Sequence, residues 1–429
     1  MSKTIRKNAE LQKIVKLRNK KDFTQEGLSI EMNYSSSYVK KIEKGQRELT
    51  SGYLDMFKKA LDLENVPILD DEVKRFEADL LEWFKSYFVG NRKEAIERNP
   101  YFAKGAEWCL EPHIQLMYDV YSLIYYISVF DYVSLRQQVA KLEDASDRFT
   151  EEYRAMYHIG MGYSNLIDCY YERALKELLK VESITTRPKF IDEFLYHIIA
   201  LCLTSIGIPI VAMDYIAKAQ HEAVTNYNTR NNMSYQNILA INYKYIGKIE
   251  QSLSLLEELL RDAEGKLDST GLKGSVYQNI ASTHQEANAI NEAVENFNKS
   301  LDCFARGSAA HTFTLYLKAV ALADFGKIDE CKECIDEGLK ACPDDETLCG
   351  CLLNALKHSL QLKSPESVKY LEKIAIPRIK TFGLYRESLK YYEKLSNYFA
   401  TVRSRKLALT YLKQAYIIKN KITKGVIDL

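Results

Sequence analysis

Little in this chain breaks a helix. Eight prolines and 18 glycines are few for 429 residues. No stretch alternates apolar and polar residues between hairpin turns, so sheet is excluded as the main element and helices are expected throughout. No apolar run reaches the roughly 18 residues that a membrane helix needs. The aromatic stretch from Met117 to Tyr132 is too short and too polar at its ends, and is expected to be a buried helix. No signal-peptide apolar region opens the chain, so a cytoplasmic protein without a membrane partner is expected.

Signs of catalysis are equally scarce. There is no Gly-rich phosphate loop, no G-x-S-x-G turn and no His-Glu metal spacing, and the seven histidines are scattered. An enzyme is not expected, nor is a cofactor. Nine cysteines without a secretion signal argue for reduced thiols. Five cluster late, at Cys331, Cys334, Cys342, Cys349 and Cys351. Cys331 and Cys334 would share one helix with no histidine spacing after them, so packing rather than metal binding is expected.

The formal net charge of +1 hides an asymmetry. Residues 1–66 hold 14 Lys and Arg against 9 Asp and Glu, while the remaining 363 hold 45 against 49. A basic head on a mildly acidic body suits a nucleic-acid footprint confined to the head.

Within that head, Thr24 to Gly45 reads as two short helices joined by a turn. Thr24 caps the first, which carries Gln25, Leu28 and Met32. Asn33-Tyr34 makes the turn, because Asn tolerates a left-handed backbone. Ser35 caps a second helix, Ser36 to Lys44, with Val39 and Ile42 inward and Gly45 ending it. That leaves Ser36, Ser37, Lys40 and Lys41 outward, where Lys41 suits a guanine edge and the serines discriminate bases weakly. Gln25, at a helix N-terminus, is placed to hold a phosphate or a base edge.

Arg18, Thr24-Gln25, Leu28, Ser35, Ile42-Glu43 and Gly45 resemble the phage-repressor type of DNA-binding domain, a five-helix helix-turn-helix module, over about residues 8–66. The resemblance implies that Arg18 and Glu43 form a buried structural ion pair. It also implies a double-stranded operator read by the second helix, with a homodimer presenting two heads to two half-sites.

Beyond Thr50 or Ser51, a helix cap, and the helix carrying Leu54, Phe57 and Leu61, residues 64–71 are the best linker candidate. Residues 67–149 are read as linker and helical bundle, with breaks at Asn99-Pro100 and Glu111-Pro112. From about residue 150 to 429 the chain repeats. Small residues recur early in successive helices at Ala174, Ala212, Ser252, Ala293, Cys331, Ser367 and Ala408, at spacings of 38, 40, 41, 38, 36 and 41. Five residues before four of them stand Gly207, Gly247, Asn288 and Gly326, types that tolerate the left-handed turn between antiparallel helices. One such pair cannot bury its own apolar face, so neighbouring pairs must stack.

The pattern resembles the tetratricopeptide class with a longer period, as in the peptide-sensing regulators of Gram-positive bacteria, the Rap, Rgg, NprR, PlcR and PrgX group. The C-terminal segment is closest in layout to the NprR and Rap members. The expected fold is therefore all-α, a helix-turn-helix DNA-binding domain followed by a tetratricopeptide-like right-handed superhelix.

The first helix of each pair should line the concave face. Ten residues before each turn stand His197, Asn237 and Tyr316; Asn279 stands nine before Asn288. Asn237 and Asn279 occupy two copies of one tetrapeptide, Tyr235-Gln236-Asn237-Ile238 and Tyr277-Gln278-Asn279-Ile280. Lys244, seven residues after Asn237, shares its face. An Asn amide pairs with an extended peptide backbone whatever its side chains, and the resemblance implies that inward asparagines hold a short linear signalling peptide. The expected function is a quorum-sensing transcription regulator whose peptide modulates DNA binding. The alternative is a Rap-like adaptor that sequesters a signalling protein under peptide control.

Overall fold

The computed structural model describes residues 3–89, 91–225, 232–264 and 270–424. Among them are helices and no strand. The chain divides into two compact units, residues 1–160 and 161–429.

The first unit opens with α1 (Lys3–Lys20), α2 (Gln25–Glu31), α3 (Ser36–Glu43) and α4 (Ser51–Ala60). The three short helices each start on a hydroxyl. Thr24 accepts from the Gly27 amide at 2.9 Å, Ser35 from Tyr38 at 3.2 Å and Thr50 from Tyr53 at 3.2 Å. Each cap is worth about 1 kcal/mol. The breaks fall at left-handed residues of permissive type, Asp22, Asn33, Gly45 and Asp62. With the breaks so placed, Ile14, Leu17, Leu28, Val39, Ile42 and Phe57 meet in one core.

The stretch expected to be a linker is packed instead. Val66, Pro67 and Ile68 are buried, and Trp108 and Leu110, further along the chain, lie against the head's core. Lys13 bridges Asp70 at 3.1 Å and Glu111 at 2.8 Å, and Lys58 pairs with Glu72 at 2.9 Å. Pro67 spaces the turn while its neighbours supply the apolar contacts, so composition alone misjudged it. Among the described residues up to 66 there are four helices rather than five, the next being the long α5 (Asp70–Val89).

After α5 come α6 (Arg92–Trp108), α7 (Pro112–Ser128) and α8 (Tyr132–Glu143). Their core is aromatic, with Phe84 stacked on Tyr121 at 4.0 Å and Trp83 against Phe102 at 5.0 Å. Asn99-Pro100, expected as a break, lies inside α6. Phe102 and Ala106 are fully buried beyond it, and Asn99 accepts a hydrogen bond from the Tyr118 hydroxyl at 3.1 Å. That packing outweighs the one helical hydrogen bond a proline removes. Met117 to Ser128 lies in the buried α7, and among the described residues no helix is long and apolar enough to cross a membrane.

From α9 (Glu151–Ile167) onward the helices pair: α10 (Tyr171–Ser183), α11 (Asp192–Ile206), α12 (Pro209–Thr225), α13 (Asn232–Tyr245), α14 (Ile249–Glu264), α15 (Thr270–Glu286), α16 (Ile290–Cys303), α17 (Ala309–Asp324), α18 (Ile328–Ala341) and α19 (Leu348–Ser359). Then follow α20 (Pro365–Tyr370) and α21 (Ile376–Thr381), joined by a π turn, and α22 (Tyr385–Thr401) with α23 (Arg405–Lys424). Gly207, Gly247, Asn288 and Gly326 all take positive φ, as expected, and so do Cys169, Gly383 and Arg403. Five residues after the first six of these seven turns, Ala174, Ala212, Ser252, Ala293, Cys331 and Ser388 are fully buried. Their small size permits close approach: Ser252 donates to the Ala240 carbonyl on the paired helix at 2.8 Å. Ser367 is buried but falls out of this register, since the left-handed turn of that region is Gly383.

The last helices return to the first pair of this unit. The Tyr171 amide donates to the Phe382 carbonyl at 3.2 Å. The Tyr385 hydroxyl donates to Glu172 at 2.7 Å, and Lys421 donates to that hydroxyl at 2.8 Å and to Glu172 at 3.3 Å.

Candidate functional site

Two surfaces stand out, one in each unit. In the head, Val39 and Ile42 are fully buried and turn α3 so that Ser36, Ser37, Lys40 and Lys41 are exposed. The orientation of α3 is held by Arg18, whose guanidinium meets Glu43 through two hydrogen bonds, at 2.7 and 3.1 Å, and donates to the Phe23 carbonyl at 2.6 Å. Both side chains are nearly buried, at 10% and 4% exposure. The ion pair implied by the resemblance is therefore present. Gln25 is half-buried and its amide donates to the same Glu43 carboxylate at 2.7 Å. The bond ties the start of α2 to the end of α3. Beside it Tyr34 stacks on Tyr38 at 4.8 Å, and Arg47 covers the Tyr38 ring at 4.4 Å.

In the second unit, α11, α13, α15, α17, α19 and α22 enclose a cavity of about 220 Å³. Lys244, Asn279 and Tyr316 line it, as their face predicted. Asn279 is buried and donates to the Asn237 oxygen at 2.9 Å. Asn237 lies just outside the lining and orients Asn279. Tyr316 is buried and its hydroxyl donates to Glu387 at 2.7 Å. His197 also lies outside the lining. Its Nε2 is 2.9 Å from the Ser234 hydroxyl and its ring meets Tyr235 edge-on at 5.0 Å. Burial pushes its pKa down to about 4, so it is a neutral link between α11 and α13.

Other lining residues were not foreseen. Tyr245, Gln278, Ser282, Arg386 and Glu387 complete the wall. Gln278 follows from the repeated Tyr-Gln-Asn-Ile tetrapeptide, whereas Arg386 and Glu387 come from α22, which closes the cavity from more than one hundred residues downstream of Asn279. A second cavity of about 640 Å³ lies beyond Tyr171, Phe313 and Leu348, which line both. The late cysteines Cys331, Cys334 and Cys351 sit in the hydrophobic core of this region, packing as small apolar residues.

No protein-family model matches the chain, and no curated protein sequence does. Among solved structures it is similar to NprR in complex with its cognate peptide NprX, at TM-score 0.73 and 22% identity over 80% of this chain and 99% of that one. It is similar to the apo form of the quorum sensor NprR from B. thuringiensis, at TM-score 0.61 and 22% identity over 82% and 99%. It is also similar to a Rap protein complexed with competence and sporulation factor, at TM-score 0.68 and 15% identity over 82% and 99%. The chain thus has the all-α, tetratricopeptide-like repeat fold of NprR and the Rap proteins, and these peptide-sensing regulators are its structural neighbours.

Proposed function

We propose that this chain is a cytoplasmic, peptide-responsive transcription regulator rather than an enzyme. The observation that carries the reading is the cavity on which Lys244, Asn279 and Tyr316 converge, in a fold shared with a peptide-bound NprR. A short linear peptide binds along the two joined cavities, with Asn279 pairing to its backbone. A concave, mixed polar and apolar enclosure of several hundred Å³ suits such a ligand. The head reads operator DNA through Ser36, Ser37, Lys40 and Lys41, with α3 fixed from behind by Arg18, Glu43 and Gln25. Two heads act together in a homodimer, because one head makes few contacts and paired half-sites multiply them.

The test uses the full-length protein and a random pool of DNA duplexes. A selected duplex should lose affinity steeply as salt rises from about 50 to 200 mM, since each phosphate contact releases a counterion. Failure to select any duplex overturns the DNA-reading role and favours an adaptor that sequesters a signalling protein.

A further inference from the structure

The cavity wall holds two cations that, among the described residues, make no ion pair. Lys244 rises from α13 and Arg386 from the start of α22, and both line the same cavity. Both face one aromatic ring: the Lys244 ammonium is 5.1 Å and the Arg386 guanidinium carbon 4.0 Å from the Tyr245 centroid. Among the described residues neither pairs with an acid, and the buried Nε of Arg386 has no hydrogen-bond partner. Of the acids near Lys244, Glu286 is exposed to solvent and makes no ion pair with it, and Glu387 is already engaged. Glu387 accepts from the Tyr316 hydroxyl at 2.7 Å and pairs with Lys390 at 3.2 Å, which leaves its carboxylate already shared.

Arg386 is also seated by the backbone. A Cβ added at Gly207 would lie 2.8 Å from Arg386 Cγ and 2.9 Å from its Nε, and Gly207 already needs its φ of +96° to turn the chain. The turn between α11 and α12 is thus shaped to let the arginine stem pass and press its guanidinium onto Tyr245. A buried donor without an acceptor is costly unless something supplies one.

We propose that Lys244 and Arg386 form a carboxylate subsite, so that the chain selects peptides presenting an acidic group to this wall. The acid is either the peptide's free C-terminus or an Asp or Glu side chain; both offer the two oxygens that a guanidinium and an ammonium can share. The inference rests on the peptide-sensor reading and gives that site its ligand class. Burial pulls the Lys244 pKa down to about 8, with Glu286 and Glu387 opposing and Lys390 and Arg386 adding to the fall. A bound carboxylate therefore restores the ammonium, and binding at pH 8 takes up protons.

Three pools of short random peptides, offered to the full-length protein, test this: one free of Asp and Glu and C-terminally amidated, one free of them with a free C-terminus, and one amidated but containing them. Retention in the second or third pool at least about tenfold above the first is expected, and which of the two is retained names the source of the carboxylate. Equal retention of all three overturns the subsite but not peptide binding, whereas no retention from any pool overturns the peptide-sensor reading itself. For a retained peptide, binding enthalpies at pH 8 should differ between buffers of unlike ionisation enthalpy, and Lys244→Gln should abolish that difference and weaken binding at least about tenfold. Arg386→Lys, which keeps the charge but loses the Nε donor and the planar fork stacked on Tyr245, should also weaken binding at least about tenfold. Buffer-independent enthalpy in the parent, or full affinity in Lys244→Gln, contradicts the assignment.

Discussion

Asn279 donates its side-chain amide to the oxygen of Asn237, 42 residues earlier, at 2.9 Å. The two asparagines occupy the same place in two copies of one tetrapeptide, yet only Asn279 lines the cavity. Their roles are therefore unequal. Asn279→Ala should weaken binding of a selected peptide by about 1–3 kcal/mol, the cost of leaving a peptide group unpaired. Asn237→Ala, which removes only the orienting bond, should cost about 1 kcal/mol or less. Calorimetric titration of both variants with that peptide decides; a larger loss for Asn237→Ala reverses the assignment.

Scaffold and reader separate in the head. Arg18→Met leaves Glu43 nearly buried and without its cation, and breaking such a pair costs about 3–5 kcal/mol. It should lower the thermal stability of the first unit. Lys41→Ala and Ser36→Ala, on the exposed side of α3, should leave melting unchanged and cost about 1–3 kcal/mol of duplex affinity, relaxing preference at one base position. Unchanged affinity and preference in both would remove α3 as the reading helix.

The half-buried Lys244 amine, its pKa pulled down to about 8 in the folded chain against about 10.4 when unfolded, destabilises the fold throughout the range below pH 8. The penalty fades as pH rises and is gone above about pH 10.4, where both states are neutral. Lys244→Met should therefore raise stability at pH 7, by about 1–3 kcal/mol, and the gain should shrink towards pH 10. Urea unfolding at a series of pH values measures it. A loss of stability at pH 7 contradicts the account.

The Glu172, Tyr385 and Lys421 contact joins the first and last helices of the repeat unit. Tyr385→Phe deletes both hydroxyl bonds, so the unit should open more often, with faster peptide association by stopped flow and a larger radius in solution scattering. Neither changing would show that the contact does not gate the cavity.

The fold was legible where residue type dictates backbone. Gly207, Gly247, Asn288 and Gly326 announce left-handed turns because few other residues adopt them cheaply, and each does so here. Cys169 and Arg403 make the same turn without that signal in their residue type. Pro100 misled in the opposite sense, since tertiary contacts carry α6 through it. In the cavity, Lys244, Asn279 and Tyr316 followed from their phase relative to the turns. Arg386 and Glu387 did not, because no local period relates α22 to α13: only the return of the chain onto its first pair brings them together.

A peptide-responsive DNA-binding regulator requires that its peptide and DNA sites be coupled. Stacked repeats change shape by small shifts at each interface, and a ligand moves that equilibrium only by its difference in affinity for the two shapes. Couplings of about 1–3 kcal/mol correspond to roughly 5- to 150-fold. Calorimetry of a retained peptide against the full-length protein, alone and saturated with its selected duplex, should give affinities differing by such a factor. The same factor must appear in duplex affinity when peptide is added first. Equal peptide affinity with and without duplex would contradict a peptide-responsive DNA-binding regulator.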